Sequence, residues 1–205
     1  MAHRVFLLSP ASVAGKRAEQ LLARGAGFAL AQRVRDGGAP IGEVFSFLSS
    51  LYFRGKLGYA ERFAVPPHGC PGVLVITAGR GLVLPETVVT LGDLRAFRRV
   101  SIDAGERRYA VPLRAAAEDL RARSPRDTQV VLLGSIATAK YVDVLGAVFG
   151  TSLLFPRDFV GRGDMSRGGL LLRAARAGTE LAYAPVDGSV RHGRRAAKLA
   201  ELGFQ

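Results

Sequence analysis

The stretch Gln129–Phe149 reads QVVLLGSIATAKYVDVLGAVF. Its first five residues are a short apolar run, as expected of a strand buried on both faces. Small and polar residues follow, GSIATAK, and then a helical stretch over Lys140–Phe149. A buried strand, a polar turn and a helix form the repeating unit of a parallel sheet.

The unit recurs on both sides. Arg4–Leu8 is a buried strand ending at SPAS, with a helix from about Gly15 to Arg35 whose middle Gly25 and Gly27 weaken. Val73–Thr77, VLVIT, is a central strand. Between them DGGAP is a turn and Ile41–Phe63 is one helix or two short ones, with VPPHGCPG a loop. AGRGLVLPETVV is an irregular turn. Helices are expected over Leu91–Phe97 and Leu113–Arg123, the second stopped by SPRD. Ser152–Phe155 is a strand candidate, Gly169–Arg176 helical, Leu181–Val186 a last strand, and Arg191–Leu202 a basic helix. No repeat or compositional break divides the chain. The expectation is one α/β domain over residues 1–205, Rossmann-like, with a mostly parallel sheet flanked by helices and a basic C-terminal segment from about residue 190.

The chain has 205 residues, 48% of them hydrophobic, which suits one domain with a substantial core. No apolar run reaches the ~18 residues of a membrane helix, and the apolar stretch near the N-terminus is too short for a signal-peptide core. A single cysteine, Cys70, allows no internal disulfide, so a cytoplasmic location is expected. His3, His68, His192 and Cys70 show no metal-ligand spacing. No P-loop, GxSxG elbow or GxGxxG fingerprint is present, so ATPase and hydride-transfer readings drop and no cofactor is expected.

Twenty-nine basic residues against 17 acidic ones give a net charge of +12. That favours a polyanion: DNA first, with RNA or a free nucleotide as alternatives. Compositional bias accounts for arginine outnumbering lysine, but not for the deficit of acids.

Ligands of open α/β sheets collect beyond the C-terminal strand ends. Three strands end in small polar sequences there: LLSPAS with Ser9 and then Lys16, VITAGRG with Arg80, and LLGSIATAKY with Ser135 and Lys140. Helix N-termini at such turns attract anions, although serine and glycine also serve simply as caps. The densest candidate is GRGDMSRGG at residues 161–169, read as a loop. Arg162 and Arg167 suit phosphate, Ser166 and Gly168 complete the binding set, and glycines admit a close ligand. Asp164 is the candidate catalytic carboxylate. It either stabilises positive charge or activates water at a glycosidic carbon, or it braces an arginine. SSLYFRGKLGYAERF at residues 49–63 interleaves Tyr52, Arg54 and Lys56 with further aromatics, a pattern that suits base stacking and phosphate contact but equally a helix with a core face and a solvated face.

The order of these motifs resembles the peroxide-stress YaaA family and the related bacterial and phage proteins that share its core. That family begins with a strand ending in SPAK, here LLSPAS. A leucine–tyrosine segment follows, here SSLYFRGKLGYA. A strand then leads to SGLYGLLRP or SAKYGLLxP, here VITAGRGLVLP. A later strand ends in NLAS-EY, here LLGSIATAKY, and an ARGLMARYI-like segment comes near the end, here SRGGLLLRAA. Ser12 stands in place of the SPAK lysine, and Arg80 in place of the tyrosine before GL. The resemblance implies an α/β fold with a basic cleft and affinity for DNA. Related domains occur beside enzymes that exchange or modify guanine bases. Three functions follow as expectations: a DNA-binding protein acting on nucleobases by N-glycosidic cleavage or base exchange, a non-catalytic protective DNA-binding module, or an enzyme acting on a free nucleotide.

Overall fold

The computed structural model describes residues 2–191 and 193. The chain starts with β1 (Arg4–Leu8), followed by α1 (Lys16–Leu22), α2 (Ala29–Asp36), the two-residue β2 (Ala39–Pro40), α3 (Ile41–Ser49) and α4 (Leu51–Phe63). Next come β3 (Val73–Ile76), β4 (Leu82–Val83), β5 (Val88–Val89), α5 (Leu91–Arg98) and α6 (Arg107–Arg123). The last part holds β6 (Gln129–Leu133), α7 (Ala139–Phe149), β7 (Leu153–Pro156), α8 (Asp164–Ala177) and β8 (Tyr183–Pro185).

Six strands form one sheet in the order β4-β3-β1-β6-β7-β8. The four inner strands are parallel, and the edge strands β4 and β8 run antiparallel to their neighbours. β1 lies in full register with β6, from Arg4 opposite Gln129 to Leu8 opposite Leu133. The apolar runs that identify these strands are fully buried: Val5–Leu8 and Val131–Leu133 have no exposed surface. β2 and β5 make a separate antiparallel pair.

The chain leaves β1 toward β3 on one side and leaves β6 toward β7 on the other. With parallel crossovers of one hand, these opposite exits put helices on both faces of the sheet. α4 packs on α8, and α6 on α7. The opposite exits also create a topological switch point between the C-terminal ends of β1 and β6, where such folds open a crevice.

The structure departs from the sequence expectations at several boundaries. The stretch 15–35 is two helices, because the Arg24–Phe28 segment turns, and Arg35 Nη1 donates to the carbonyls of Ala23 and Arg24 and holds the turn closed. The irregular turn after β3 contains β4 and β5. α6 begins six residues before Leu113 and carries Pro112 inside it, with the Glu106 side chain accepting from Arg108 N to cap its start. The last strand shrinks to Tyr183–Pro185. The most consequential correction is at GRGDMSRGG: from Asp164 onward it is not a loop but the first turns of α8. The expected basic helix over Arg191–Leu202 lies almost wholly outside the described residues. Among those described, no helix is long and apolar enough to cross a membrane.

Candidate functional site

A cavity of about 660 Å³ opens at the switch point. Its floor is the segment after β1, Ser9 to Ala14, together with Ser135 after β6 and Ala78 after β3. One wall is the N-terminal turn of α7 with Lys140 and Tyr141. A second is the start of α8 with Asp164 and Arg167, and a third is α3 and α4 with Phe45, Leu48 and Tyr52. Lys16 and Arg17 from α1 and Arg98 from the end of α5 complete the rim. Lys16, Arg17, Arg98, Lys140 and Arg167 thus face one space in which Asp164 is the sole carboxylate among the described residues.

The helix starts strengthen the positive field. α7 and α8 both aim their N-termini at the cavity, and neither start is capped by a side chain at its N-cap residue, Thr138 or Gly163. Their first backbone N–H groups therefore remain available to an anion.

Arg167 is held in place. Its Nε and Nη2 donate to the carbonyl of Phe159 at 3.2 and 3.1 Å, its guanidinium lies 5.5 Å from the Phe159 ring centre, and Nη1 reaches Asp164 Oδ1 at 3.4 Å. The arginine side chain is only 11% exposed while the Asp164 side chain is 69% exposed. The pair is therefore a buried, oriented arginine with a solvated carboxylate leaning on it.

Beneath the floor sits Lys56, with no exposed surface. Its Nζ donates to Ser9 Oγ at 2.9 Å and to the Ser9 carbonyl, and it lies 4.4 and 4.8 Å from the ring centres of Tyr52 and Phe53. Ser9 Oγ in turn donates to the carbonyl of Leu133 at 3.1 Å, tying β1 to β6 at the switch point. Burial pulls the Lys56 ammonium down to a pKa of about 7; Asp164 opposes the shift and Arg167 adds to it. The Tyr52 hydroxyl is also buried and makes no hydrogen bond of ordinary geometry. Burial raises its pKa to about 12 despite the nearby Arg167. The Tyr141 phenol, missed in the sequence reading although it adjoins Lys140, is raised by burial too.

The residues anticipated from the sequence divide into two groups. Ser9, Lys16, Tyr52, Ser135, Lys140, Asp164 and Arg167 meet at the cavity, with Lys56 directly behind Ser9. The remainder lie elsewhere. Arg80 pairs with Asp93 and lies over the Phe97 ring outside the lining. Arg54 is exposed on the far side of α4. Arg162 donates to Ser166 Oγ at 3.2 Å, away from the cavity. Gly168 has a packing role: a Cβ there would stand 2.7 Å from Tyr52 Cα, and one on Gly55 would stand 2.7 Å from the Gly168 carbonyl oxygen. The two glycines let α4 and α8 touch backbone to backbone, which brings Tyr52 and Arg167 to the same cavity. Arg17 and Arg98 were not anticipated; nothing local in the sequence distinguishes them from other surface arginines. Among the described residues no three His, Cys, Asp or Glu side chains come together as a metal site would need.

Compared with family models, curated proteins and solved structures, the chain has no significant match.

Proposed function

We propose that this is a nucleic-acid-binding protein whose cavity receives one nucleotide unit of the bound strand. The observation that carries the reading is the concentration of Lys16, Arg17, Arg98, Lys140 and Arg167 around one space at the switch point, with a single carboxylate among the described residues there. A volume of about 660 Å³ suits a nucleotide rather than a duplex. A base reaching it must therefore leave its stack or come from a single strand. Tyr52 and Tyr141, both nearly buried, shape the lining against which a base would sit, while the two helix starts and Arg167 offer N–H donors to a phosphate.

Base-directed chemistry is part of this proposal through Asp164, the carboxylate on the lining. In that role its oxygen stabilises positive charge at a glycosidic carbon or takes a proton from attacking water. In the alternative role it orients Arg167. Single-stranded and duplex DNA are incubated with the wild type and with Asp164→Asn, then assayed for binding and for abasic sites. Binding by both proteins with abasic sites from the wild type alone supports the catalytic role. Binding without abasic sites leaves a binding module. Failure to bind DNA at low salt, with binding of a mononucleotide, points to a free nucleotide as the ligand.

A further inference from the structure

Lys56 needs an explanation beyond charge. It is fully buried, and among the described residues no carboxylate makes an ion pair with it. Burying an ammonium without a paired anion is costly, and a structural tie between β1 and α4 needs no charge. Among the described residues, the polar atoms within hydrogen-bond reach of its Nζ are the Oγ and carbonyl oxygen of Ser9. Ser9 is itself on the cavity floor, and the Tyr52 hydroxyl is buried in the same lining. Lys56 can thus act on a ligand only through the Ser9 hydroxyl.

We propose that Ser9 and Lys56 form a serine–lysine dyad in which Ser9 Oγ is a nucleophile toward phosphate esters or anhydrides bound in the cavity. A base within hydrogen-bond distance of a hydroxyl is the arrangement that activates a serine. In its neutral form Lys56 keeps one N–H on the Ser9 carbonyl, and the Ser9 hydroxyl rotates its one proton from the Leu133 carbonyl to the Lys56 lone pair. The phosphoryl class follows from the cations around the cavity, which would hold the non-bridging oxygens. In the transfer step the bond from Ser9 Oγ to phosphorus forms and the bond from phosphorus to the leaving oxygen breaks. The Ser9 proton passes to Lys56; the leaving oxygen takes a proton from water, and the hydroxide so formed is neutralised by the proton that Lys56 gives up as it returns to its neutral form. The titratable and charged groups that bear on Lys56 are Tyr52 on its own helix, and Asp164 and Arg167 on α8. Tyr141 on α7 faces Ser9 from the other side. This inference concerns the floor of the cavity and does not require the ligand to be nucleic acid.

The test is covalent labelling of the full-length chain with an alkyl fluorophosphonate, whose phosphorus–fluorine bond breaks as fluoride leaves. Peptide mass spectrometry is expected to find the adduct on Ser9. Its rate should rise about tenfold from pH 6 to pH 8.5, as the fraction of neutral Lys56 grows around its lowered pKa. Ser9→Ala should give no adduct, and Lys56→Met should label at least about a hundredfold more slowly. Absence of an adduct at Ser9 at both pH values overturns the proposal, as does a rate independent of pH. So does undiminished labelling of Lys56→Met. Should Lys56→Met fail to fold, the wild-type pH profile decides alone.

Discussion

Lys56 links stability to pH in a way that can be checked without knowing any ligand. Its pKa falls from 10.5 in the unfolded chain to about 7 in the folded one. Between these values the unfolded state binds more protons, so the stability of the folded state rises with pH across that window. Below about pH 7 the cost of the buried ammonium is fully present. Each tenfold change in proton affinity is worth ~1.4 kcal/mol. Denaturant midpoints of the wild type should therefore climb relative to those of Lys56→Met from pH 7 to pH 10. Parallel curves would show that Lys56 stays charged in the fold. Gly168 offers a second check. An alanine there puts a methyl 2.7 Å from Tyr52 Cα and 2.8 Å from the Leu51 carbonyl oxygen, both backbone atoms that cannot step aside. Gly168→Ala should destabilise by about 1–3 kcal/mol in chemical denaturation, whereas the same change at Gly163, which has open space around it, should cost far less.

The helices and strands were legible in the sequence to very different degrees. The buried parallel strands announced themselves, because a strand covered on both faces must be apolar throughout; Gln129–Leu133 was read to the residue. α8 was half missed, since four glycines and a charged opening read locally as a loop. Its partner α4 supplies what the local sequence hides: Gly55 faces Gly168, and helix propensity yields to close packing. The cavity residues on the strand ends could be inferred, because the parallel sheet puts Ser9 and Ser135 on one edge. Arg98 and Tyr141 could not, since their approach depends on tertiary placement. Lys56 was legible only as one cation among aromatics. At the other end of α4, Tyr59 is fully buried, accepts from Leu181 N at 2.8 Å and shares a 2.7 Å hydrogen bond with the Tyr183 hydroxyl. Tyr183 in turn donates to Glu180 at 2.8 Å. This network fastens the edge strand β8 to the α4 face. Tyr59→Phe removes the acceptor for a backbone N–H and should cost about 1–3 kcal/mol, read as a lowered denaturation midpoint.

At the scale of the whole molecule, topology and charge meet at the switch point. Topology predicts a crevice between β1 and β6. Charge predicts an anion for a chain with a net +12. The cavity joins them, because its rim carries cations from α1, α5, α7 and α8, elements far apart in sequence. A diffuse basic surface would bind polyanions without any such focus. The distinction is open to direct measurement through the salt dependence of DNA binding by three proteins: the wild type, Lys16→Ala/Lys140→Ala on the cavity rim, and Arg123→Ala/Arg126→Ala. The last pair precedes β6, at the opposite edge of the sheet from the cavity, and removes the same charge. A focused cavity predicts that the rim variant binds weakly and that its log–log salt slope is shallower by about 0.9 for each duplex phosphate it no longer neutralises, while the opposite-edge variant follows the wild type. Equal weakening in the two variants, or none in either, would contradict it.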